Sequence, residues 1–243
     1  MDWVLISLIV AGLVTGFSKF SVGGMGILIL PLVMLAVPGP EALGVVLPLY
    51  LLTDLIAIVT YRKQISWPVL FRILPLGFLG VAVAGWWLSA INPTHFAIIL
   101  GVSIVLVLAM SVYLDIRESR FMQNPMVLHI TGFATGFISM IANAAGPLMS
   151  LILIEQKLPK TAYISTRAWA FFLLNLAKLI PLLSLGLINQ ETLAVTLQTL
   201  PGLAVGMVIG FYFLRSVNVT QFKWMVRAMA LISAVNLVAM SIK

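Results

Sequence analysis

Residues 3–37 read WVLISLIVAGLVTGFSKFSVGGMGILILPLVMLAV. An apolar run from Trp3 is closed by a single cation, Lys19, and by the cluster Gly23-Gly24-Met25-Gly26, and a second apolar run follows at once. At about 1.5 Å per residue, the first run reaches across most of a hydrocarbon core of roughly 30 Å, whereas the second is short. The stretch is therefore predicted to form a re-entrant or broken-helix hairpin with its tip at the glycines.

The rest of the chain has the same character. Of 243 residues, 62% are hydrophobic and 9% charged, more apolar surface than a soluble domain of this length can hide. Ten apolar segments are predicted at 3–20, 23–37, 42–60, 68–90, 95–114, 127–141, 144–156, 161–183, 192–214 and 219–241. Those at 23–37, 127–141 and 144–156 read as short for full spans. Asp2 stands where a signal peptide would carry a basic residue, so the first segment is expected to belong to the mature protein. The absence of cysteine excludes disulfides and thiolate chemistry. The net charge of +7 lies mainly in short loops between apolar segments, where it orients a membrane chain rather than binding nucleic acid.

Those loops predict the topology. Arg62, Lys63 and Arg72 mark one basic connection; Arg117 and Arg120, Lys157 and Lys160, and Arg215 and Lys223 mark the others. The connections around Asn92 and Asn189 carry no Lys or Arg. Threading the ten segments places all basic loops on one side, with Lys243 opposite, so that side is expected to be cytoplasmic and both termini periplasmic.

The two halves also repeat. At an offset of 120, Gly12, Thr15, Gly16, Phe17, Gly26, Leu28 and Ala42 match Gly132, Thr135, Gly136, Phe137, Gly146, Leu148 and Ala162. At an offset of 126, Leu74, Pro75, Gly80, Asn92, Thr94 and Phe96 match Leu200, Pro201, Gly206, Asn218, Thr220 and Phe222. Matching loops fall on opposite sides, which predicts inverted-topology repeats about a pseudo-two-fold axis in the membrane plane. The expected fold is all-α: residues 1–115 form one repeat, 116–126 a cytoplasmic linker and 127–243 the inverted second repeat. Each repeat is a hairpin followed by three transmembrane helices.

In such an architecture substrate binds where the hairpin tips approach each other. The candidate tip residues are Ser21, Gly23, Gly24 and Gly26 in the first half and Asn143, Ala144, Ala145 and Gly146 in the second. A helix that starts at a tip presents N–H groups without intrahelical partners and partial positive charge, which suit an anion. Small residues let a ligand approach that backbone, although they equally permit close helix packing. Lys19, deep beside the first tip, is a candidate anion contact, as is Arg167, whose guanidinium can form bidentate hydrogen bonds. Lys178 shares the helical face of Arg167 but is expected to snorkel to the surface. Asp54 is the one acidic residue deep in a segment, shares a face with Tyr50, and is read either as a proton carrier or as an ion-pair partner of Lys19 or Arg167. Asn175, at nearly the corresponding place in the second half, is expected to line the same path. His95 and His129 lack a metal-like set of neighbours. No zinc motif, nucleotide loop or activated nucleophile is present, so neither a cofactor nor an enzymatic activity is expected.

The motif Ala11-Gly12-Leu13-Val14-Thr15-Gly16-Phe17, the glycines through Gly26, then Pro31 and Ala42, with a degenerate second copy from Thr131 to Ala162, resemble the sulfite exporter TauE/SafE family over nearly the whole chain. The second tip, Asn143-Ala144-Ala145-Gly146, carries fewer glycines than that family commonly shows. The resemblance implies a permease for sulfur-containing anions such as sulfite or an organosulfonate, for example sulfoacetate. The expected function is secondary transport of a small anion across a bacterial-type inner membrane, with an anion-selective channel as the alternative. The expected partners are the anion and membrane lipid, with no nucleic acid; a homo-oligomer is compatible with the sequence.

Overall fold

The computed structural model describes residues 3–20, 26–60, 64–116, 124–213 and 219–241. Ten α-helices follow one another: α1 (Trp3–Phe20), α2 (Gly26–Met34), α3 (Glu41–Thr60), α4 (Trp67–Leu88), α5 (Pro93–Ile116), α6 (Pro125–Ala142), α7 (Gly146–Glu155), α8 (Lys160–Ser184), α9 (Gln190–Phe213) and α10 (Val219–Ser241). There is no strand among the described residues. In lipid a helix satisfies its own backbone hydrogen bonds, so apolar stretches resolve into helices.

Among the described residues, six helices are long and apolar enough to cross a membrane: α3, α4, α5, α6, α8 and α9. The protein is thus a multi-pass, all-helical membrane protein. Large apolar side chains such as Phe71, Trp86 and Ile180 stand exposed around the bundle, an arrangement suited to lipid rather than water. By contrast α2 has 9 residues and α7 has 10, lengths of about 14 and 15 Å. They are half-spans. One expectation from the sequence is corrected: the segment at 127–141 is not short. Pro125 at the first helical position and Asn124, whose side chain accepts from the Met126 N–H at 2.9 Å, start α6 early enough to give 18 residues.

The helices of the two halves interlock. α1 packs along α9 just as α6 packs along α4; α3 meets α9 as α8 meets α4; α2 meets α10 as α7 meets α5. The pairs α3–α8 and α5–α10 join each helix to its own counterpart. This pattern is unchanged when the halves are exchanged. Several of its close seams are lined by the repeated glycines. A methyl group on Gly12 would stand 2.0 Å from the Thr199 carbonyl oxygen, and one on Gly136 1.9 Å from that of Gly77. In lipid, helix association depends on such close backbone packing.

Candidate functional site

The polar interior is assembled from α1, α3, α8 and the starts of the two short helices. On α3, Tyr50 and Asp54 lie four residues apart and so share a face. Asp54 is fully buried and carries two partners. Lys19, in the last turn of α1, forms an ion pair with its Oδ1, and the Asn175 side-chain amide donates to its Oδ2 at 2.6 Å. A buried carboxylate is tolerated when its charge is matched and it is hydrogen-bonded; Lys19 supplies the charge and Asn175 the hydrogen bond. Of the two cations read as partners for Asp54, the structure selects Lys19. Its ammonium also lies 5.6 Å from the Tyr50 ring centroid and 5.4 Å from that of Phe171.

α8 turns one face to this cluster, with Arg167, Phe171, Asn175 and Lys178 in succession along it. The Arg167 guanidinium lies over the Phe171 ring at 5.6 Å, and its Nη2 would be 4.0 Å from a Cβ placed on Gly146. The basic residue expected to snorkel does not. Lys178 is 2% exposed, and its ammonium donates to Asn143 Oδ1 at 2.6 Å. The face shared with Arg167 is as the sequence indicated, but the tertiary packing turns that face inward, leaving the lysine stem no route to the surface.

The two short helices bring their starts together here. α6 ends at Asn143, which adopts a left-handed conformation (φ 50°), a geometry asparagine tolerates. Ala144 and Ala145 are buried, and α7 begins at Gly146 with no side-chain cap from Ala145. Its first intrahelical bond runs from the Met149 N–H to the Ala145 carbonyl, and Pro147 has no N–H, so the Gly146 and Leu148 N–H groups lack intrahelical partners. A Cβ on Gly26, the first residue of α2, would lie 3.9 Å from the Asn143 carbonyl oxygen and 3.6 Å from Tyr50 Oη. The Tyr50 hydroxyl donates to the Gly26 carbonyl at 3.3 Å. The expected proximity of the tips is therefore present at Gly26 and Asn143. Ser21, Gly23 and Gly24 lie outside the described residues.

Of the candidate residues, Lys19, Gly26, Asp54, Asn143, Gly146, Arg167 and Asn175 come together, and Tyr50, Phe171 and Lys178 join them. Spacing places Lys178 on one stripe of α8 with Arg167, Phe171 and Asn175, but spacing alone does not say that this stripe faces inward. Arg227 belongs elsewhere. It donates to the Ser111 carbonyl and hydroxyl at 3.0 and 2.8 Å, tying α10 to α5. His95 and His129 are exposed, and no metal-binding group of side chains occurs among the described residues.

Electrostatically the cluster sets three basic side chains, Lys19, Arg167 and Lys178, against one carboxylate, Asp54. Such an interior can accept an anion. A family model described as sulfite exporter TauE/SafE matches residues 8–237. No curated protein and no solved structure matches the chain.

Proposed function

The chain belongs to the sulfite exporter TauE/SafE family, and from that membership we propose that it is a secondary carrier exporting sulfite or a small organosulfonate such as sulfoacetate. Membrane permeation of the sulfite-exporter type is the family's activity, and transport rather than catalysis is the role this chain shares with it. The reading rests on one observation above all: the excess of basic over acidic side chains gathers where two half-span helices begin. The uncapped N–H groups of α7 and the cations of α1 and α8 would hold the anion between them. Gly26 and Asn143 lie close together, a Cβ on Gly26 standing 3.9 Å from the Asn143 carbonyl oxygen, and half-helix tips that approach each other in this way support the carrier reading. The inverted relation of the halves, suggested by the opposed loop charges, agrees with the exchangeable packing pattern. The membrane would be a bacterial-type inner membrane.

Counterflow separates carrier from channel. Proteoliposomes loaded with sulfite should take up labelled sulfite faster than empty ones, saturably, and with competition from sulfoacetate if organosulfonates share the site. Flux that rises linearly with concentration and ignores internal sulfite would identify a channel. Absence of any sulfite or sulfonate flux would remove the substrate class.

A further inference from the structure

We infer that Lys178 sets the preference of the site for doubly charged over singly charged oxyanions, an inference that rests on the anion-carrier reading above. Lys19 is already neutralised by Asp54. Lys178 hydrogen-bonds a neutral acceptor, the Asn143 amide oxygen at 2.6 Å; Asp54 acts on it only at longer range, and no carboxylate lies within ion-pair distance of it among the described residues. Arg167 has the face of Phe171 as its described contact. The formal charges of Lys19, Asp54, Arg167 and Lys178 therefore leave two positive charges, matching one divalent oxyanion.

The positions of those charges assign them different parts. Arg167 stands next to Gly146 at the start of α7, where the first charge of an anion meets both guanidinium and backbone N–H groups. Lys178 reaches the same tip through Asn143, the residue that ends α6. Burial strips its ammonium of water, so it gains more from a charged acceptor than from the amide it now holds. An arriving dianion takes the Lys178 ammonium from Asn143 Oδ1, whereas a monoanion is satisfied at Arg167 and leaves that bond in place. Asn143 is thus the stand-in acceptor that keeps the buried cation hydrogen-bonded when the site is empty.

Binding of sulfate, sulfite and methanesulfonate to purified protein at neutral pH, with sulfate as the reference dianion and methanesulfonate as the monoanion, tests this. The wild type should bind sulfate more tightly than methanesulfonate. Lys178→Gln should lower the dianion-to-monoanion affinity ratio by about tenfold or more, and Lys178→Arg should restore most of it. A purely structural lysine would change both affinities together. Should Lys178→Gln not fold, Asn143→Asp offers the same test with the lysine intact: a fixed carboxylate partner should abolish the dianion preference. An unchanged ratio in well-folded Lys178→Gln, or in Asn143→Asp if only that variant folds, overturns the assignment while leaving the anion site standing. A wild type that binds none of these oxyanions overturns both.

Discussion

At the scale of single residues, the Lys19–Asp54 pair separates stability from recognition. Asp54 is buried, ion-paired with Lys19 and hydrogen-bonded by Asn175, so removing the ionic partner leaves an uncompensated charge, at a cost of about 3 kcal/mol or more. Asp54→Asn should therefore lower the thermal midpoint of the purified protein, and Lys19→Gln combined with Asp54→Asn should recover much of that loss. Anion binding should follow a different pattern. Lys19→Gln and Arg167→Gln should each weaken it, and the double variant, which keeps the net charge of the site but lacks the Lys19 donor, should still bind more weakly than the wild type even though its fold is restored. If titration gave wild-type affinity in both Lys19→Gln and Arg167→Gln, neither cation would be an anion contact. Gradient-driven accumulation that persists in Asp54→Asn would likewise remove Asp54 from proton coupling and leave it as the counter-ion of Lys19.

At the scale of the helix, glycines divide into two kinds that their sequence contexts do not distinguish. Gly12 and Gly136 sit in seams where an added methyl would meet a backbone carbonyl oxygen at 2.0 and 1.9 Å. Gly146 has 4.0 Å to its nearest neighbour, the tip of Arg167. Gly12→Ala and Gly136→Ala must force α1 from α9 and α6 from α4, costing about 1–3 kcal/mol each; both should show it as a lowered thermal midpoint in detergent. Gly146→Ala should melt like the wild type yet bind sulfite more weakly, because its methyl occupies space at the start of α7 that a ligand would use. Unaltered binding by Gly146→Ala would show that the anion does not approach this part of the backbone.

For the whole molecule, the interlocked packing has a consequence for how the halves can move. Because α1 grips α9 and α4 grips α6 through glycine seams, the halves of the sequence do not separate as rigid blocks. Topology offers an independent test of the proposed inversion. With every basic loop facing the cytoplasm, reporters fused at residue 243 should be active only in the periplasm, and those near residue 120 only in the cytoplasm. A cytoplasmic C-terminus would contradict the inverted arrangement.

Hydropathy and turn residues alone determined the membrane class, the ten helices and most of their ends, because lipid forces every apolar stretch to satisfy its own backbone and because proline, glycine and asparagine act locally. The short helices α2 and α7 were legible from length in the same way. The need of Asp54 for a cation was also readable, since an intramembrane charge demands a partner. Which cation it takes was not, because Lys19 and Arg167 satisfy that demand equally until α1, α3 and α8 are placed side by side. The glycine repeat announced close contacts without naming them; only the packing showed that α1 meets α9 and α6 meets α4. Lys178 marks the limit most clearly. Its position near the end of an apolar helix reads as a lysine reaching for the surface, and a stem of four methylenes permits that. The fold decides otherwise by turning this face of α8 onto Asn143, a residue 35 positions earlier in the chain, because burial depends on what packs against a helix and not on depth along it.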